Sequence, residues 1–520
     1  MSPNPPLTRR HFAQLVGQSG GVSAAYAVLA AMGVLATPAA AQAPPALPRD
    51  HGRGKRVIVL GAGIAGLTAA KDLLDAGYAV TVLETDARVG GRNLTLRAGD
   101  TVTEMGGVTQ RVAWDRAPHL YFNPGPARIP HHHQSLLRRC RALGIAMEPL
   151  VNENKAALLQ AGDAPPVTLR RVQADLRGLV AELAAKAVTR GALDQPLSTE
   201  DLEKLLGLLR GFGALERDLV YRGSSRGGYA ELPGAGDRPG RIAAPLDPRV
   251  LIQGSPWFVA SFAEGFQYSA TMLQPVGGMD TIPKAMAAAL PRRTVRLGTR
   301  AVALRRQGQG AAITIETDRG QQQMAADFVV CTIPAPVLAA LDTDFSDTRK
   351  RALAALSYAE SAKIAFQSDQ RFWEDDHAIY GGISWTTREI MQIWYPSHGM
   401  HARKGILLGA YIFGGSFGTR FAERTPDQRA AAAIADGEAL HPGYARQVAK
   451  PVSVSWLRMA HARGGWGEWT DEQRRDAYPL LCSAEGPYHF AGEHLSYLPG
   501  WQEGAVLSAE AAVAAIAARR

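Results

Sequence analysis

Cysteine is scarce in this chain. Of 520 residues only three are cysteine, Cys140, Cys331 and Cys482. They are odd in number and far apart, so they make neither a disulfide framework nor a metal-ligand cluster. Long apolar runs are scarce too. The one stretch that invites a membrane reading, Gly20 to Ala36, is short, interrupted by glycine and weakly apolar for a stable span. Charge of one sign is in modest excess, 57 Lys and Arg against 48 Asp and Glu, and the basic residues are scattered among acids. That leaves a nucleic-acid footprint unsupported. His131, His132 and His133 are consecutive, so they cannot all face one side of an element, and no acid or cysteine is spaced to complete a site; no metal is expected. What is plentiful is apolar content, 46%, ample for a large core in two or three folded units.

Residues 56–92 organise the rest. Arg56 to Leu60 is a β-branched apolar run that reads as a buried parallel strand. Gly61, Gly63 and Gly66, with Ile64 and Ala65 between the last two, follow in G-x-G-x-x-G spacing. The first glycine permits a tight turn, the second lets backbone approach a pyrophosphate, and the third lets the helix pack close to the strand. Leu67 to Ala76 is helical in composition, and the strand Tyr78 to Leu83 delivers Glu84 a little over twenty residues past Gly61. A carboxylate there accepts hydrogen bonds from ribose hydroxyls, and an acid in place of an arginine argues against a 2′-phosphate.

The run from Glu84 through Arg88, Gly90 and Gly91 to Arg92 resembles the E-x-x-x-R-x-G-G-R extension of the flavin amine oxidase superfamily. There it lies along the FAD pyrophosphate, and a forked arginine suits phosphate. The stretch Gly125-Pro126-Ala127-Arg128-Ile129-Pro130 resembles the G-P-x-R-[LI]-P motif of L-amino acid oxidases. The resemblance implies that Arg128 binds the substrate carboxylate and that Gly125 to Arg128 adjoin the cofactor. Gln274 to Pro283 resembles the segment that leads back into the FAD domain, with Val302 near the adenine side or simply in the core. Lys363 and the turn Phe372-Trp373-Glu374-Asp375-Asp376 match the family's strand and F-W-E-D-D turn, and the implied role of Lys363 is to hold a catalytic water. A lysine in an apolar alternating strand is expensive to bury without a task. Tyr411 lies where the family places a second carboxylate ligand, while Phe413, Trp394 and Trp501 are expected to line the side-chain pocket.

Near the end, Tyr488 to Glu493 resembles the F-A-G-E turn whose glutamate reaches the cofactor, and Gly500 to Ala505 opens a helix passing beneath the flavin. Gly500, Gln502, Glu503, Gly504 and Ala505 are thereby implied as substrate or cofactor contacts, the helix N-terminus favouring an anionic reduced flavin. Arg463-Gly464-Gly465-Trp466 stands where animal monoamine oxidases carry a flavin-linking cysteine, so non-covalent FAD is expected.

The expected fold is mixed α/β: a Rossmann-like, two-dinucleotide-binding-type FAD domain (51–115, 270–345 and 450–520), a mixed-sheet substrate domain (116–150 and 346–449) and a helical domain (151–269) with about three helices over 166–220. Residues 1–50 read as a leader and linker. Thr8-Arg9-Arg10-His11-Phe12 resembles a twin-arginine export motif, with an A-x-A cleavage site near Ala41, so a periplasmic or secreted location is expected; a homodimer is expected as well. The activity implied is oxidation of an L-amino acid by O₂ to a 2-oxo acid, ammonia and H₂O₂, favouring apolar or aromatic side chains. The alternatives are a monoamine or polyamine oxidase, an amino acid 2-monooxygenase releasing an amide, and a non-catalytic flavin-binding protein.

Overall fold

The computed structural model describes residues 47–192, 197–252 and 256–519. The export-like leader therefore lies outside the described residues. The strand Arg56–Leu60 is the centre of a five-stranded, all-parallel sheet. Its order is Val295–Arg296, Ala79–Leu83, Arg56–Leu60, Phe328–Cys331 and Tyr488–Phe490. Val57, Ile58, Val59 and Leu60 are all buried because helices and a second sheet cover the two faces, and so this strand reads as a continuous apolar run. Helix Ile64–Asp75 lies on one face beside the C-terminal helix Gln502–Ala517, and the two share a core that includes Leu67, Leu73, Val506 and Ile516. On the other face Leu304, Ile313 and Ile315, from the antiparallel hairpin Arg300–Gln307 and Gly310–Thr317, pack against Ile58 and Leu60.

The second unit is a seven-stranded mixed sheet in the order Ala449–Ser455, Ala362–Ser368, Gly405–Ile412, Gln392–Tyr395, Gly382–Thr386, Leu158–Gln160 and Val167–Thr168. Its last two strands fall within the section assigned from sequence to the helical domain, and all of Ala449–Ser455 but its first residue within that assigned to the FAD domain. These boundaries move because strand pairing, which is long-range, decides membership. Helices Leu169–Thr189 and Thr199–Gly213 form a pair around Ala181, Ala185, Leu209, Leu215 and Tyr221. The expected third helix is absent from the described residues. Ala214, in the left-handed region at φ 53°, ends the second helix, and Leu215 to Tyr221 folds back as a non-helical segment that buries its apolar side chains on the pair.

A buried ion pair ties the turn after strand Thr101–Thr103 to helix Pro426–Leu440. Glu104 and Arg429 are 4% and 1% exposed, and their fork-to-fork contacts are 2.5 and 2.9 Å. The remaining guanidinium protons go to the carbonyls of Phe421 and Ala422 and to the Ser453 hydroxyl. Replacing one partner leaves the other charge buried alone, a loss of about 3–5 kcal/mol, whereas replacing both by apolar residues is close to neutral. Arg429→Met is therefore expected to lower the melting temperature sharply. The double variant Arg429→Met, Glu104→Leu should recover most of the loss in the same thermal scan.

Candidate active site

A cavity of about 1520 Å³ is lined by residues of both sheets. It exceeds the 300–1,000 Å³ typical of a drug-sized site, which leaves room for a dinucleotide and a small substrate together. At its nucleotide end Gly61 turns the chain with φ +105°. Gly66 is needed for close approach, since a Cβ there would stand 1.9 Å from the Gly61 carbonyl oxygen. Gly63, by contrast, faces open space, and the helix it begins has no side-chain cap. That combination leaves room and free backbone N–H groups for a phosphate. The Glu84 carboxylate is held by the N–H groups of Ala62 (2.7 Å) and Asp86 (2.9 Å) at the cavity edge, its pKa raised by burial.

Further along, Arg92 pairs with Glu493 at 2.8 Å and also donates to the Gly465 carbonyl. The other Glu493 oxygen accepts the Gly500 N–H at 2.9 Å. This one acid thus ties the glycine-rich extension to the turn before the C-terminal helix. That helix again starts without a side-chain cap, and Gln502, whose amide oxygen accepts from Asn93, lines the cavity with Ala505. These features fit a flavin dinucleotide.

The other end holds two cations. The strand register sets Lys363 opposite Tyr411, and the Lys363 Nζ lies 4.5 Å from the Tyr411 ring centre. Lys363 is 3% exposed and donates to the carbonyls of Gly125 (2.6 Å) and Asn123 (3.3 Å). Burial first, and the nearby Arg128 charge second, bring its pKa down to about 7. A neutral amine with two N–H bonds spent on carbonyls keeps its lone pair as an acceptor.

Arg128 stands among four rings. Its guanidinium carbon is 4.7 Å from the centre of Trp394, 5.0 Å from Tyr268, 5.4 Å from Phe262 and 5.8 Å from Trp501. Among the described residues no carboxylate lies within ion-pair distance of it. Burial lowers its pKa, with Tyr411 and Tyr268 acting the other way. Burial raises the Tyr411 hydroxyl to about 12, so it remains a donor. A boxed, uncompensated guanidinium beside a phenol is a receptor for a planar anion.

The cavity wall thus brings together Gly61, Gly63, Ile64, Ala65, Glu84, Gly91, Arg92, Gly125, Pro126, Ala127, Arg128, Lys363, Trp394, Tyr411, Glu493, Gly500, Trp501, Gln502 and Ala505. Five expected contacts lie off it. Gly66 is spent on packing against Gly61. Val302 sits at a bulge between Ala301 and Ala303, and Arg300 and Ala301 line the wall instead. The strand carrying Tyr411 ends at Ile412, and the Phe413 ring packs against Tyr411 at 4.9 Å. Glu503 points away, accepting the N–H groups of Ser135 and Leu136 at the start of helix Gln134–Ala142. Gly504 is pressed against Ser496 and the Leu498 carbonyl. Sequence reasoning missed Tyr268, Phe262 and Asn152. The run of aromatics from Trp257 to Tyr268 was a signal for the first two; Asn152 gave none. Within 151–269 only Tyr268 lines the cavity, so the Gly- and Arg-rich stretch 221–245 is not part of it.

A parallel sheet with a glycine-turn nucleotide end, joined to a cationic pocket on a mixed sheet, is the arrangement of a protein that holds a nucleotide cofactor beside a small-molecule site. Residues 64–517 match the family of flavin containing amine oxidoreductases, and the chain belongs to it. It is 28% identical over 473 residues to the L-amino-acid oxidase of Mus musculus, covering 87% of this chain and 69% of the relative. It is also 28% identical over 508 residues to the flavin-dependent L-tryptophan oxidase of Lentzea aerocolonigenes, covering 91% and 99%. Among solved structures it resembles cyclohexylamine oxidase from Brevibacterium oxydans IH-35A, with a TM-score of 0.59 and 19% identity over 89% of this chain and 99% of that one. Putrescine oxidase bound to putrescine gives a TM-score of 0.59 at 18% identity, again over 89% and 99%.

The depressed pKa of Lys363 has two readouts. Between pH 7 and 10.5 the unfolded chain holds more protons at this group than the folded one, so its contribution to stability grows as pH rises across that window. Amine oxidoreductase activity is expected to rise through an apparent pKa near 7 as the Lys363 amine becomes an acceptor. Lys363→Met should abolish both the stability slope and the acid limb of kcat/KM.

Proposed function

We propose that this chain is an FAD-dependent L-amino-acid oxidase. The observation that carries the reading is the Arg128 guanidinium, half-buried among rings on the cavity wall with no acid among the described residues to pair it. A substrate α-carboxylate supplies the missing anion in the bidentate geometry a guanidinium prefers, and the Tyr411 hydroxyl donates to the same group. The Gly500 carbonyl accepts from the substrate amine. Anchoring carboxylate and amine together fixes which face of Cα is presented, and so selects one enantiomer. Neutral Lys363 takes a proton from the ammonium, directly or through a water held between them. The chemistry a bound FAD supplies is acceptance of a hydride from Cα and delivery of the electron pair to O₂, giving H₂O₂. The imino acid then hydrolyses to a 2-oxo acid and ammonia.

Trp394, Trp501 and Tyr268 enclose the substrate end and favour apolar or aromatic side chains. Gly63, Glu84 and the uncapped helix start fit the pyrophosphate and ribose of FAD. Non-covalent binding is supported because no cysteine lines the cavity among the described residues. A plain amine oxidase shares this fold, but amines lack the carboxylate, and Arg128 would stay an unpaired charge throughout turnover. The twin-arginine-like start supports export, which N-terminal sequencing of the mature protein tests.

L-Phenylalanine is expected to yield peroxide while D-phenylalanine and phenethylamine do not. Arg128→Ala should lose about 2–5 kcal/mol of transition-state binding, as when one partner of a buried charged pair is removed. The comparison is made on kcat/KM in a coupled peroxide assay. Equal turnover of phenethylamine and phenylalanine by the wild type would replace this reading with the amine oxidase one.

A further inference from the structure

Behind Arg128 stands a residue that the cavity does not touch. Asn152 is 7% exposed and off the cavity wall. Its amide oxygen accepts a hydrogen bond from the Arg128 Nη1. Its amide nitrogen donates to the Tyr268 carbonyl at 2.8 Å. The guanidinium can only donate and the carbonyl can only accept, so the amide has one orientation that satisfies both. We propose that Asn152 aims Arg128 without neutralising it and thereby sets the selectivity of the pocket for carboxylate-bearing ligands over plain amines. This deepens the amino-acid oxidase reading and rests on it.

The physical case turns on what else could occupy position 152. An aspartate has the same shape and would accept the same Arg128 proton, but it would pair the cation inside a ring-lined enclosure. The charge would then be compensated before any ligand arrived, and an incoming carboxylate would meet a second anion. A small apolar residue would leave the long side chain without its guide, and the guanidinium would sample rotamers at an entropic cost on binding. Asparagine supplies an acceptor of zero net charge.

The same amide reaches further. The Tyr268 ring is 5.0 Å from the guanidinium, so one side chain fixes both the cation and one wall of its enclosure. Next in the chain, the Gln267 side-chain oxygen meets His133 Nε2 at 2.9 Å and His132 Nε2 at 3.2 Å. The His133 ring in turn stands edge-on to Trp501 at 5.1 Å. Two of the three consecutive histidines therefore serve the same wall: His132 and His133 both meet Gln267, and His133 also abuts the tryptophan. Asn152 is a positioning residue in this arrangement, since it acts only through Arg128 and Tyr268.

The test uses the flavin-loaded full chain and two ligands that differ in one group. 3-Phenylpropanoate carries the carboxylate without the amine, and phenethylamine the reverse. Each is titrated anaerobically against the flavin absorption spectrum. Asn152→Asp is expected to weaken 3-phenylpropanoate by about tenfold or more, as expected when a like charge enters a buried site, while phenethylamine binds as well as before or better. Asn152→Ala should weaken the carboxylate by a smaller factor and leave the amine unchanged, and it carries the test if the aspartate variant loses flavin. A purely structural role would move both ligands alike. Unchanged carboxylate binding in both variants, or equal losses for the two ligands, overturns the proposal alone. If Arg128→Ala also leaves carboxylate binding intact, the anchor reading falls and takes this one with it.

Discussion

A guanidinium enclosed by aromatic rings, with no acid beside it among the described residues, is the constraint around which this end of the cavity is built. Desolvating a cation without a partner is unfavourable, and the fold tolerates it here because the ring faces of Trp394, Tyr268, Phe262 and Trp501 offset part of the loss. In the proposed reading the remainder is recovered when a substrate carboxylate brings the anion, and the unmet charge is what gives such a ligand its advantage. Lys363 adds a second cation a short way off. Its burial together with the Arg128 field makes the neutral form accessible near neutrality, and in the proposed reading the two groups divide the labour: one stays charged to bind, the other takes up a substrate proton.

Geometry supplies this division through strand register. Lys363 and Tyr411 face each other on adjacent antiparallel strands, and the carbonyls that take the lysine protons belong to the loop that carries Arg128. The three groups are therefore fixed relative to one another by backbone pairing and by a short, proline-stiffened loop rather than by side-chain contacts alone. At the other end Glu493 plays the corresponding part, joining Arg92 to the turn at Gly500. Both halves of the cavity depend on a polar residue that links two distant stretches of chain.

The nucleotide end was legible in the sequence because its demands are local. A strand, a positive-φ glycine, a glycine with no room for a Cβ and an acid after the second strand all fall within residues 56–84. Lys363 was legible for a different reason: a charged side chain in an apolar alternating strand has few ways to exist. The misreadings share a cause as well. Phe413 was placed by extending a period of two past the strand end, and Gly414 at φ +76° turns the chain there. Glu503 and Gly504 were taken with their neighbours, although helical geometry puts Gln502 and Ala505 on the cavity side and turns Glu503 towards another helix. Val302 falls on a bulge, which no propensity reveals. Asn152 and Tyr268 come from separate loops, and nothing short of the folded chain brings them to Arg128.

The parallel sheet has a further consequence. Its five strands are drawn from residues 56 to 490, and the helix that closes the cavity ends at Ala517. During synthesis the central strand leaves the ribosome well before its partners: one of its two neighbours is more than two hundred residues behind and the last strand more than four hundred. Contacts of such long sequence separation form slowly. The nucleotide cleft therefore cannot be completed until the helix Gln502–Ala517 has left the ribosome, and loading of a prosthetic group belongs after that point.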